Sequence, residues 1–169
     1  MEKFGHSEVK GHSFAIMGVG AVGYALVEFL VKNGAGKIYY TDINPANINR
    51  MKKNFPDAIF VDGKKYFSLP VDVLSPCALG AILNPTTIKQ IKAPIVAGSA
   101  NNQLAEDERD GDDLMKRKII YAPDFVINGG GVVNVYHELI GYSKEAAMRD
   151  VDLIYDRMLE IFKIAKAKK

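Results

Sequence analysis

The stretch that most constrains this chain is Gly18-Val19-Gly20-Ala21-Val22-Gly23, which separates a short apolar run at 14–17 from a helix-patterned apolar run at 22–31. In a strand-turn-helix unit the three glycines have distinct tasks. Gly18 permits a tight turn, Gly20 leaves backbone bare for a pyrophosphate, and Gly23 lets helix and strand pack closely. The amides that open the helix near Ala21, at the positive end of its dipole, then face an anion. A plain glycine turn would use the same spacing, so context carries the argument. A β-rich segment precedes the glycines, Asn33-Gly34 caps the helix that follows, and an acid, Asp42, ends the next strand. The combination predicts dinucleotide binding.

Asp42 lies 19 residues beyond Gly23, near the offset of the acid that accepts hydrogen bonds from both adenosine ribose hydroxyls. Its charge repels a 2′-phosphate, so NAD is expected over NADP. The competing assignment is an exposed turn aspartate ahead of a helix that starts at Pro45 with Asn44 as its cap.

Six short β runs, at 13–17, 37–41, 58–61, 71–74, 95–97 and 119–122, alternate with helical segments. That alternation predicts an α/β fold, a Rossmann-like three-layer sandwich on a mostly parallel sheet of about six strands, with a long C-terminal helix. Residues 1–12 read as an entry segment with no fold of their own, 13–140 as the nucleotide-binding domain, and 141–169 as an amphipathic helix of the same domain. In the first helix, Val22, Leu26, Phe29 and Leu30 are expected to form the buried stripe. In the last, capped by Ser143 with Glu145 in its first turn, Ala147, Val151, Ile154, Met158, Ile161, Phe162 and Ala165 make one face apolar. Either the sheet or another lobe would cover that face. The small, polar and glycine-rich sequences fall at the carboxyl ends of strands: 18–23, Asp42, 75–81, 98–103 and 128–131. Ligands bind outside those ends in such sheets.

A formal charge of +2 gives no argument for nucleic acid, and Lys163, Lys166, Lys168 and Lys169 read as the solvated end of a helix. Lys64 and Lys65 read as surface residues. A single cysteine, Cys77, leaves no internal disulfide, and it has no basic sequence neighbour to activate it. The apolar run behind Lys3 and Lys10 contains the glycines and Glu28, and is shorter than the roughly 18 to 20 residues of a membrane span. A cytoplasmic protein with no membrane partner is expected. No spacing around His6, His12 or His137 points to a metal or a triad.

The runs GVGAVG (18–23), TDIN (41–44), SPCALGAILN (75–84), AGSANNQL (97–104) and YAPDFVINGGGVVNV (121–135) resemble the NAD-binding domain of the Glu/Leu/Phe/Val amino-acid dehydrogenases. Within that family the chain is most similar to the leucine dehydrogenase branch. The resemblance spans about residues 10–162 and implies a sheet with one strand reversed. It implies that Gly18, Val19, Gly20, Ala21, Val22 and Gly23 hold the pyrophosphate of NAD, and that Asp42 and Ile43 lie at the adenosine. It puts Cys77 and Ala78 along the cofactor, Asn101 near the nicotinamide ribose and Asn128 near the carboxamide. A turn role competes for Asn128, next to three glycines. Val132 and Val135, one helical turn apart, match substrate-pocket positions; ordinary helix core is the alternative.

Enzymes of this family carry their catalytic lysines and an aspartate on a separate N-terminal lobe. No residue here matches those roles, so no catalytic residue and no metal ligand is assigned. The expectation is the NAD-binding lobe of a leucine or branched-chain type dehydrogenase, which transfers hydride to NAD while an amino acid becomes a 2-oxo acid. The isolated chain would be inactive without a companion lobe, and the amino acid would bind only in the assembled enzyme. Self-association into a homo-oligomer is compatible with this. The alternative is a stand-alone NAD(H)-binding or sensing module without catalysis; a remnant that keeps only the fold is a third.

Overall fold

The computed structural model describes residues 8–167. His6, most of the entry segment, Lys168 and Lys169 lie outside the described residues. Six strands, β1 (Phe14–Met17), β2 (Ile38–Thr41), β3 (Ile59–Phe60), β4 (Val73–Pro76), β5 (Ile95–Val96) and β6 (Ile120–Tyr121), form one sheet in the order β3-β2-β1-β4-β5-β6. Every neighbouring pair is parallel. The reversed strand implied by the family resemblance is therefore not found among the described residues. A reversed strand would enter from the opposite end of the sheet, whereas each connection here crosses over and re-enters at the same end.

Alternation along the strands divides the core. Phe14 and Ile16 point to one side, where Ile38, Tyr40, Val27, Leu30 and Met51 join them; Ala15 points to the other, with Leu74, Val96, Leu83, Ile88, Ile91 and Leu114. Helices α1 (Ala21–Lys32) and α2 (Pro45–Asn54) supply the first side. On the second are α3 (Pro85–Ile88), α4 (Asp107–Lys116) and the 3-10 helix Gly63–Ser68. Residues 9–12 are docked as well. Val9 packs on the first core, and Gly11 donates to the Gly34 carbonyl at 2.9 Å.

The buried stripe of α1 is Gly23, Val27 and Leu30, with Leu26 half-buried against the same core; of the expected stripe Leu26 and Leu30 hold and Val22 and Phe29 do not. Val22 is 59% exposed and Phe29 56%. Close contact at Gly23 sets the rotation of the helix, and at 3.6 residues per turn positions three, four and seven residues further on share that face. Residues 22 and 29 are turned aside.

Beyond β6 come α5 (Asp124–Ile127), α6 (Gly130–Ile140) and α7 (Lys144–Ala167). The open question of what α7 covers has a local answer: it lies on α5 and α6. Ala147 and Met158 are buried, Val151, Ile154, Ile161 and Phe162 half-buried, and Ala165 is exposed, so the apolar face fades toward the C-terminus. His137, itself buried, bonds through Nε2 to Asp150 Oδ2 at 2.8 Å and ties α6 to α7.

Asp110, fully buried, closes the start of α4. Its carboxylate accepts from the Glu106 amide at 2.8 Å and from Arg109 Nε and Nη2 at 2.9 and 3.0 Å. The Arg109 guanidinium holds this carboxyl below its ordinary 3.8 against the opposing effect of burial, and the Glu106 amide adds to the shift. Below that value the unfolded chain takes up the proton more readily than the folded one. The contribution of Asp110 is therefore complete above pH 3.8 and lost as acid titrates the folded carboxyl. Asp110→Ala is expected to lower the melting temperature at pH 7 by about 4 °C and to reduce the acid sensitivity of unfolding, both read by circular dichroism.

Candidate functional site

β1 ends at Met17 opposite Pro76, the end of β4, and the strand order turns between these two. In such sheets the crevice opens there. Gly18 takes the turn at φ +87°, and its amide donates to Thr41 O at 2.8 Å. A Cβ on Gly18 would lie 2.7 Å from the Ala78 side chain; one on Gly23 would lie 1.9 Å from Gly18 O. At Gly20 an added Cβ would meet nothing within 4 Å. No side chain caps α1, and its first turn holds no acid. The opening amides of α1 thus have no capping side chain at the positive end of a three-turn helix.

Every peptide of this loop is fixed by a partner. Val19 donates to Asp42 Oδ2 at 2.8 Å, while Arg50 Nη2 donates to Val19 O at 2.7 Å and Gly20 O at 3.1 Å. Asp42 also accepts from the Asn44 amide at 2.7 Å and from Asn47 Nδ2 at 3.1 Å. Burial pushes its carboxyl up, but the Asn44 and Val19 amides and the Asn47 side chain outweigh this and hold it below 3.8. Ile43 beside it is 95% exposed.

The rim continues from loop to loop. Cys77 donates its amide to Met17 O at 2.7 Å, and its half-buried side chain packs beneath the glycine loop. Ala78, Gly80, Ala81, Asn101, Asn102 and Leu104 line one open groove of about 550 Å³. Ala81 N donates to Asn102 O at 2.6 Å, joining its two walls. At the far end Asn128 Nδ2 donates to Asn101 Oδ1. Asp42, the glycine loop, Cys77-Ala78, Asn101 and Asn128 therefore form one row along the carboxyl edge of the sheet. Val132 and Val135 stand beyond it on α6, 74% and 55% exposed. Neither is helix core.

Two residues of the rim are assigned no role from the sequence, although Gln103 lies within the run 97–104. Arg50 sits in α2 with nothing in its local spacing to mark it. Gln103, fully buried, donates through Nε2 to Gly98 O at 2.6 Å and Ala100 O at 2.9 Å, and its amide donates to Asp124 Oδ2 at 3.1 Å. It sets the loop that carries Asn101. Among the described residues no group of three or more His, Cys, Asp or Glu side chains could hold a metal ion, and no helix is long and apolar enough to cross a membrane.

A parallel sheet of this order, with a glycine turn from β1 into α1 and loop tips lining its carboxyl edge, defines the Rossmann-like class of α/β domains. The family model described as Glutamate/Leucine/Phenylalanine/Valine dehydrogenase matches residues 1–165, and the chain belongs to that family. It is 49% identical over 165 residues to leucine dehydrogenase from Thermoactinomyces intermedius, an alignment covering 98% of this chain and 44% of that protein. The crystal structure of L-tryptophan dehydrogenase from Nostoc punctiforme superposes with a TM-score of 0.94 at 40% identity, covering 98% of this chain and 50% of that one. The hetero-hexameric glutamate dehydrogenase from Thermus thermophilus shares the fold, with a TM-score of 0.71 at 19% identity, covering 94% of this chain and 42% of that one. The chain thus spans about half the length of these relatives.

Proposed function

We propose that this chain is the NAD-binding lobe of an amino-acid dehydrogenase acting on leucine or a similar branched-chain substrate. The observation that carries the reading is the unbroken row from Asp42 to Asn128. Bound NAD would supply the hydride acceptor; the chain's own residues bind and orient it. The Gly20 and Ala21 amides would meet the pyrophosphate, since a Cβ-free approach and an uncapped helix start suit an anion. Asp42 would accept from the adenosine ribose hydroxyls, with Ile43 offering its apolar side chain to the adenine. Cys77 and Ala78 would flank the cofactor along the groove, Asn101 and Asn128 would receive the nicotinamide half, and Val132 and Val135 would face the substrate side chain.

No general base or carboxylate clamp is assigned to this chain. Relatives twice its length suggest where these reside, on a second lobe in the same polypeptide or in a companion chain. The exposed apolar residues of α6, including Leu139 beside Val132 and Val135, would gain from burial against it.

NADH fluorescence enhancement on titration with the chain is expected to saturate, and NADPH to bind more weakly. Amino-acid oxidation is expected only after a lobe carrying the family's catalytic lysines is added, from the tryptophan or leucine relatives. Absence of saturable NADH binding would refute the cofactor role, and turnover by the chain alone would refute the division of labour.

A further inference from the structure

Arg50, like Asp42, grips the glycine loop from outside it, and it does so through the loop's carbonyls. Its Nη2 divides two N–H bonds between the carbonyls of Val19 and Gly20, and its guanidinium lies 4.2 Å above the Tyr24 ring. Tyr24 is itself held, its hydroxyl accepting from Asn54 Nδ2 at 2.7 Å and its ring leaning on Phe55 with centroids 5.2 Å apart. Arg50 and Asn54 both belong to α2, and Tyr24 to α1. A strut therefore runs from α2 across α1 to the turn.

The consequence follows from peptide geometry. In a planar trans peptide the carbonyl of one residue and the N–H of the next point in opposite directions. Holding Val19 O toward Arg50 turns the Gly20 amide away from it, and Gly20 O, shared at 3.1 Å between Arg50 and the Tyr24 amide of the first helical turn, turns the Ala21 amide the same way. Asp42 holds the Val19 amide on its own side. These three contacts leave Gly20 and Ala21, not Val19, as the donors the turn presents.

We propose that Arg50, steadied by Tyr24, is a positioning residue for nucleotide binding: it sets the direction of the loop amides before ligand arrives. The inference rests on the cofactor reading above. Its contribution comes through preorganisation, so the loss of Arg50 appears as affinity more than as stability. NADH titrations and thermal melts of Arg50→Gln, Arg50→Lys and Tyr24→Leu test it. Arg50→Gln is expected to weaken NADH and ADP-ribose about tenfold with a small change in melting temperature. Lysine keeps the charge but neither the planar fork nor the stacking, so Arg50→Lys should recover only part of the loss. Tyr24→Leu should cost about threefold through the lost cation-π contact.

NADH affinity within about twofold of wild type in Arg50→Gln would overturn the strut, as would full recovery in Arg50→Lys, which would leave simple charge attraction as the cause. If Arg50→Gln fails to fold, the lysine and Tyr24 variants decide. A wild-type chain that binds no NADH removes the cofactor reading and the strut together; a wild type that binds while the variants match it removes the strut alone.

Discussion

Gly23→Ala is expected to have a large effect for a single-methyl change. The added Cβ would fall 1.9 Å from Gly18 O, well inside van der Waals contact, and neither partner can yield cheaply. Gly18 is already committed at φ +87° with its amide on Thr41 O, and Gly23 sits on the face of α1 that carries Val27 and Leu30 into the core. Relief requires the helix to back away from the sheet, opening the contacts of both residues. Overpacking of this kind costs about 3 kcal/mol, which in a domain of this size lowers the melting temperature by roughly 8 °C. NADH binding should disappear with it, because the turn and helix start move together. Gly20→Ala is the control: its Cβ enters open space, so melting should shift by no more than about 2 °C while NADH binding weakens. Thermal unfolding and NADH titration of the pair check this, and a Gly23→Ala protein that melts like wild type would show the close approach to be absent.

Asp42→Ala should lower NADH affinity on the order of 100-fold, with two losses acting together. The ribose would lose its acceptor, and the Val19 amide would lose its partner at 2.8 Å. NADPH should lose less, since the carboxylate that repels a 2′-phosphate is also gone, so the preference between the two cofactors narrows. Because its amide donors hold the folded carboxyl below 3.8, Asp42 stays ionised from about pH 5 to pH 8 and contributes no pH dependence to NAD binding there. Its share of folding stability is likewise complete above 3.8 and lost only as pH falls through the lower folded value. Isothermal titration with NAD and NADP at several pH values reads both effects. An Asp42→Ala protein that binds NADH as wild type does would remove the basis for choosing NAD.

Much of the candidate site was legible because its backbone requirements are written in residue type. A turn at positive φ and a helix packed onto a carbonyl both demand glycine, and the glycines at 18 and 23 announce them at fixed spacing. The extended runs and their order were legible for a similar reason, since β-rich segments separated by helical ones have few ways to share a sheet. The face of α1 was legible only in part. Periodicity put Val22, Leu26, Phe29 and Leu30 on one face; the contact at Gly23 kept Leu26 and Leu30 there and brought in Val27 in place of Val22 and Phe29.

The sequence by itself determined the elements, the glycine turn and Asp42 at the end of the second strand, because these depend on local chemistry at short range. Tertiary structure alone decided that every strand is parallel, that α7 lies on α5 and α6, and that Arg50 and Gln103 hold the loops. Arg50 reaches a carbonyl 31 residues away, Gln103 is tied to Asp124, 21 residues on, and β1 meets β4 only after a crossover closes; no spacing along the chain encodes which carbonyl a distant guanidinium will reach.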